Sequence, residues 1–284
     1  MSKLQRNLAI TVGIGGPSSA GKTTLAELLA TALRGALTTA AHRRAHAGDD
    51  APAPASAVRV VHQDDFFLPA AQQRWPLIST AGARPVVDRD RVEAVRFEDL
   101  ERELCQPINH CGGTITGQQG YQKEMAAAAA TLAERFDAVF KQGVTSCQIR
   151  IVKGNLVLAR RPAEGRLPAS HDEVTRMFAI NARAAQDRVR EAMDVKLFLS
   201  VPFEVAALRR FSRSEYRDQS PSNPKGRTPE QHWRQAWYFE HAWKNHEWYH
   251  SNVPAAWVQP TEVSSTEDTL TWAAGLVVGA IPKD

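Results

Sequence analysis

The sequence predicts an α/β protein with a parallel central sheet and helices on both of its faces, and three observations carry the prediction. The first lies at the start, where Leu8-Ala9-Ile10-Thr11-Val12-Gly13-Ile14 is apolar and β-branched enough for a buried strand. It passes through the glycine-rich turn Gly16-Pro17-Ser18-Ser19-Ala20-Gly21-Lys22-Thr23 into a stretch with leucines at 25, 28, 29 and 33, the spacing of one helix face. The second is Val58-Arg59-Val60-Val61-His62, a short strand that ends in Gln63-Asp64-Asp65-Phe66-Phe67. The third is continued alternation, with strands at 148–158 and 195–199 separated by helix-forming segments, the order from which parallel sheets are built.

A chain of 284 residues can bury a full core, and a single domain over residues 1–284 accounts for it. Its 43% hydrophobic and 23% charged residues describe a soluble globular protein. No signal peptide is recognisable before the first strand, and no apolar run approaches the ~20 residues of a membrane span. Cys105, Cys111 and Cys147 are too few and too irregular for a disulfide framework or a zinc site. A cytoplasmic protein without a membrane partner is therefore expected. The net charge of +4 suits a polyanionic small molecule, whereas no basic stripe with interleaved aromatics points to nucleic acid.

The first turn fits G-x-x-x-x-G-K-[ST], and its strand-before, helix-after context is the one in which that pattern binds phosphate. Glycines let the backbone curl so that successive N–H groups face one concavity, and the helix N-terminus adds its positive end. A nucleotide triphosphate is thus expected on Gly16, Ser18, Ser19, Ala20, Gly21, Lys22, Thr23 and Thr24. Lys22 is expected to reach the β- and γ-phosphates and the Thr23 hydroxyl to ligate Mg²⁺. At the carboxyl end of the second strand, Asp64 and Asp65 stand where parallel sheets gather ligands.

The remaining elements follow in order. Residues 35–57 are small and polar, with two prolines, and read as a flexible surface insertion. His42 and His46 within it are four apart and so share one face of any helix there. Residues 69–90 look irregular, after which a helix is expected with Asp90 as N-cap and Glu93 three residues on. Residues 105–147 read as an extended helical insertion, with 121–142 a long surface helix. A strand interrupted by Gly154 covers 148–158, helix follows through 160–194, and Val195–Leu199 is a strand closed by Pro202. A helix from about Phe203 carries Arg209 and Arg213 four apart, suited to gripping phosphates. Thr228-Pro229-Glu230-Gln231 has the form of a capped helix start, and Trp233 and Trp237 share a face expected to pack on the body. Residues 229–284 are read as an aromatic-rich C-terminal helix and tail.

Together these blocks make the chain resemble the nicotinamide riboside kinases, of the uridine kinase-like group of P-loop kinases. The resemblance rests on Gly15–Thr24, Gln63–Phe67, Asp90-Arg91-Val92-Glu93-Ala94, Asp194–Pro202 and Arg209-Arg210, and extends with gaps from Leu8 to about Trp243. It implies a three-layer P-loop kinase fold with a helical lid at about 203–228. It implies ATP and Mg²⁺ as cofactors and phosphorylation of a riboside 5′-hydroxyl, nominally nicotinamide riboside to nicotinamide mononucleotide. Asp64 falls on the family's catalytic aspartate and metal partner, with Lys22 and Arg209 as the other catalytic groups. Arg209 and Arg213 fall on the nucleotide side, while Asp65, Phe66, Phe67, Arg89, Asp90, Arg210 and Tyr216 fall on the riboside side, Asp90 taking the vicinal diol.

Two positions depart from that family. Lys153 stands before Gly154 where the family has an acidic residue, and Arg89 precedes Asp90 where the family has an aromatic ring. A cation near Mg²⁺ weakens a metal site unless it contacts phosphate itself, and a guanidinium repels a pyridinium that a ring would attract. Two alternatives therefore stand beside the first reading: a nucleotide-binding regulatory module without turnover, and a kinase for another small alcohol such as uridine or pantothenate.

Overall fold

The computed structural model describes residues 6–46, 55–69, 72, 77–78, 86–108, 120–160, 173–213, 216, 218 and 227–282. Four strands form one all-parallel sheet in the order β2-β5-β1-β6: β1 (Arg6–Gly15), β2 (Ala55–His62), β5 (Val144–Lys153) and β6 (Val195–Phe198). A two-stranded antiparallel pair, β3 (Leu77–Ile78) and β4 (Val86–Val87), stands apart from it. Among the described residues, seven helices pack on the sheet: α1 (Lys22–His46), α2 (Phe97–Cys105), α3 (Gln122–Lys141), α4 (Glu173–Glu191), α5 (Phe203–Phe211), α6 (Pro229–His250) and α7 (Thr266–Ala280). None of the described helices is long and apolar enough to cross a membrane.

Two-residue periodicity divides the core. Ile10, Val12 and Ile14 of β1, in register with Ile149 and Ile151 of β5, enter one apolar cluster with α1, α3 and α7. Val61 and Val152, one residue out of phase, enter a second with α2, α4 and Tyr249 of α6. The chain leaves β1 through α1 toward β2, and leaves β5 through α4 toward β6 on the other side of β1. Connections that diverge about one strand open a crevice at its carboxyl end, which is where Gly16–Lys22 lies.

Several expectations are corrected. The segment 35–57 is not a loose insertion over its first half, because α1 runs unbroken to His46 and buries Ala36, Leu37 and Ala40 against α3. Ala-rich sequence without proline sustains a helix once one face is covered. Residues 55–57 belong to β2, and 47–54 lie outside the described residues. His42 and His46 are exposed, and no metal-holding group of side chains occurs among the described residues.

The 105–147 segment likewise supplies core. Leu132, Ala133, Phe136 and Phe140 of α3 are fully buried between α1 and α7, and β5 starts at Val144; residues 109–119 lie outside the described set. Asp90 caps no α-helix: only a 3-10 turn, Val92–Ala94, follows it, with no side-chain cap. Its carboxylate and that of Glu93 are drawn to tertiary partners instead, Asn155 and the buried Arg183. β5 ends at Lys153, before Gly154, and the apolar Leu156–Leu158 form a buried turn rather than more strand. Trp233 is 52% exposed, so only part of the tryptophan face packs. The capped start of α6 is present as expected, with Thr228 and Gln231 bonding reciprocally and Pro229 at N1. Beyond it α7, a separate helix capped by Ser265, buries Leu270, Ala273, Ala274 and Val277.

Candidate active site

The turn after β1 has the backbone its glycines predict. Gly16, Ser19 and Gly21 have φ of 135°, 65° and 96°, values that curl the chain into a nest of N–H groups. At Gly16 a Cβ would also lie 2.5 Å from the Leu199 carbonyl, so the loop passes too close to the end of β6 for any side chain. Lys22 donates to the Gly16 and Pro17 carbonyls at 2.8 and 2.6 Å, folded onto its own loop. Burial lowers its pKa to about 7, opposed by Asp64 and Asp90 and reinforced by Lys153 and Arg213. An arriving polyanion would restore its charge.

The arginines reach this loop from the far side of the crevice. Arg210 Nη1 donates to Ser18 Oγ at 2.7 Å and Arg213 Nη2 to Ser19 Oγ at 3.2 Å. Arg213 lies beyond the end of α5, so the i,i+4 face expected for it with Arg209 does not form there; both still line one groove with Ser19, Ala20, Gly21 and Thr24. That groove has a volume of about 810 Å³, and its opposite wall is the stretch from Val258 to Thr266. Hydrogen bonds from Gln259 N–H to Phe198 O (2.9 Å) and from Gln259 Nε2 to Thr269 Oγ1 (3.1 Å) hold that wall.

The carboxylates stand on the other side of the loop. Gln63–Phe66 form a 3-10 turn directly after β2. Gln63 is fully buried; its amide accepts from Leu156 N at 2.9 Å and donates to Asn155 Oδ1 at 3.0 Å. Asn155 in turn donates to Asp90 Oδ1 at 2.9 Å, so one relay links the end of β2 to Asp90. Asp64 is 58% exposed, and its Oδ2 accepts from the ammonium of Lys153 at 2.7 Å. Asp65 is exposed, while Phe66 and Phe67 pack against the second core cluster.

Burial raises the pKa of Asp90, against a hydrogen bond from Tyr238 that favours the carboxylate. Asp88 is the buried anchor beneath it. Its carboxylate meets His241 Nε2 at 3.1 Å and Asn245 Nδ2 at 3.2 Å and accepts from Asp90 N at 3.1 Å, fastening α6 to this segment. Arg89 is exposed, its N–H donating to Tyr238 Oη. Tyr216 carries the Arg210 and Arg227 guanidinium groups 5.2 and 4.7 Å from its ring centre, so cations already engage the ring that the resemblance assigns to the riboside side.

Sequence reasoning missed Asn155, Asp88 and the inner face of α6. Trp243, His246 and His250 line a small pocket with Pro17, Asp90 and Asn155. Burial lowers the pKa of His246 to about 2 and of His250 to about 4, with Lys22 adding to both and His250 to His246. Their i,i+4 spacing, and that of His241 and Asn245, was the available signal. No protein-family model matches this chain, and a search of the curated proteins finds no match to it.

Proposed function

We propose that this chain is an ATP-dependent kinase that phosphorylates the 5′-hydroxyl of a small riboside, nominally nicotinamide riboside, on a three-layer P-loop kinase fold with residues 203–228 as its lid. The observation that carries the reading is the meeting of groups at the turn after β1, where Lys22 bonds the Gly16 and Pro17 carbonyls, Arg210 and Arg213 reach Ser18 and Ser19, and Asp90 shares a pocket with Pro17 and Ser18. The triphosphate lies in the nest of Gly16–Thr24, with the nucleoside in the groove toward Val258–Thr266. Lys22, Arg209, Arg210 and Arg213 take up charge on the transferring phosphoryl group. The riboside enters the pocket at Asp90, whose two oxygens suit a vicinal diol, and Asp64 receives the proton of the attacking hydroxyl.

The residues fit a resident Mg²⁺ poorly. Of the two expected ligands, Thr23 offers a neutral hydroxyl and Asp64 is already paired with Lys153.

An assay of the purified protein with ATP over nicotinamide riboside, uridine, cytidine and related ribosides tests the reading. Turnover on at least one is expected, and none on any, with the protein folded and ATP bound, would sink it. For Asp64→Asn, ATP binding is expected to persist while turnover falls by about 10²–10⁴-fold, the size of a general-base contribution.

The Lys153–Asp64 pair favours a second reading, a nucleotide-binding module without transfer, because an ammonium on the base opposes proton uptake. A large gain of turnover in Lys153→Glu supports that reading; a loss supports a working role for Lys153.

A further inference from the structure

Lys153 closes β5, and its register places it between Ile14 of β1 and His62 of β2, at the sheet edge from which the phosphate-binding turn departs. Its side chain is only 8% exposed, and its ammonium lies 2.7 Å from Asp64 Oδ2. Burying an ammonium to this depth is costly unless an anion pairs with it, and Asp64 is that anion. Among the described residues, no three His, Cys, Asp or Glu side chains gather to hold a metal ion. A divalent cation set beside Asp64 would meet a fixed positive charge at contact distance.

We propose that Lys153 takes the place of a divalent cation in this site: its ammonium neutralises Asp64 and faces the phosphate chain, so that the cradle binds a metal-free nucleoside triphosphate. The inference rests on the nucleotide reading above and goes beyond it in naming the ionic form of the ligand. The surrounding charge agrees. Arg210 and Arg213 already reach the hydroxyls of Ser18 and Ser19 within the turn, and Lys22 stands at its end. Cations fixed on the protein can meet a fully ionised triphosphate directly, whereas Mg²⁺ gives up its water reluctantly and brings several waters with it. The short sequence distance from Lys153 to Gly154 matters too. Gly154 N–H bonds Ile14 O at 3.1 Å, which pins the backbone that aims the lysine.

The test is calorimetric titration of the full chain with ATP, in EDTA and in excess MgCl₂, for the wild type and Lys153→Met. The wild type is expected to bind with affinities within about threefold of each other in the two buffers, and Lys153→Met to bind about tenfold or more weakly in EDTA, the scale of one charge-assisted contact. Wild-type binding that is about tenfold or more tighter with Mg²⁺ overturns the proposal. So does a Lys153→Met protein that binds ATP in EDTA as well as the wild type. The two-buffer comparison needs no variant and decides the matter even if Lys153→Met fails to fold. Folded wild type that binds ATP in neither buffer overturns the nucleotide reading itself, and this inference with it.

Discussion

A methyl group on Gly154 would lie 2.2 Å from Gln63 Oε1 and 2.5 Å from Gln63 Cβ. The glutamine is wedged there because its amide serves the turn from both ends, accepting from Leu156 N and donating to Asn155. Gly154→Ala must push Gln63 out of a packed, fully hydrogen-bonded seat, for which about 1–3 kcal/mol of stability is expected to be lost. Urea denaturation measures it, and an unchanged midpoint would mean that the turn yields without cost. Because Asn155 also holds Asp90, the same variant should, on the proposed kinase reading, weaken riboside binding more than ATP binding. The places of Gly16, Lys22 and Asp64 at the ends of β1 and β2 were legible in the sequence, because a glycine turn and a strand end depend on neighbours a few positions away. Asn155 was not, since its partners are Gln63 and Asp90, brought to it only by β2–β5 pairing.

At the scale of elements, α6 joins the site to the body. It sets Tyr238, His241 and Asn245 on the Asp88–Asp90 segment, while Trp243, His246 and His250 close the pocket below Pro17. His246 stacks on Phe198 with ring centres 5.8 Å apart; His250, with its ring 4.3 Å away, and Lys22 from α1 act on it, and Asp90 lines the same pocket. Held at about 2, its pKa lies far below the ordinary 6.5 of an unfolded imidazole. Below that ordinary value the unfolded chain therefore binds a proton that the folded chain refuses, and stability falls as the pH drops. His250, at about 4, adds to the slope over the upper part of the same window. His246→Phe should remove its share. Relative to this variant, the wild type is expected to lose stability between about pH 7.5 and about pH 5 by urea denaturation. An equal difference at both pH values would show that His246 takes up its proton in the folded state. The start of α6 could be read from Thr228 to Gln231, because capping is local. Which of its aromatics would be buried could not, since the partners on β6 and in the glycine-rich turn after β1 are distant in sequence.

Across the whole molecule, the sheet is covered on both faces, and the layer of α1, α3 and α7 is continuous from Leu25 to Ile281. Phe136 of α3 sits at its centre, fully buried with its ring 6.2 Å from that of Phe140. Phe136→Ala is expected to cost about 3–5 kcal/mol, a core value, readable as a fall in the chemical denaturation midpoint; a loss below about 1 kcal/mol would mark α3 as peripheral. Local sequence sufficed for the alternation of strand and helix, the position of β1, β2 and β6, the glycine-rich turn after β1 and the place of Asp64 after β2. Each of these rests on periodicity, glycine geometry or residue type within about ten neighbours. Tertiary structure decided the rest. It extended α1 to His46 and made α3 core rather than insertion, because apolar faces of weak local signature became stable only against each other. It also drew Asp90 away from a helix cap toward the amide of Asn155, and set Lys153 on Asp64, because a buried polar or charged group takes the donor, acceptor or counter-charge that the fold supplies, whatever lies beside it in the chain.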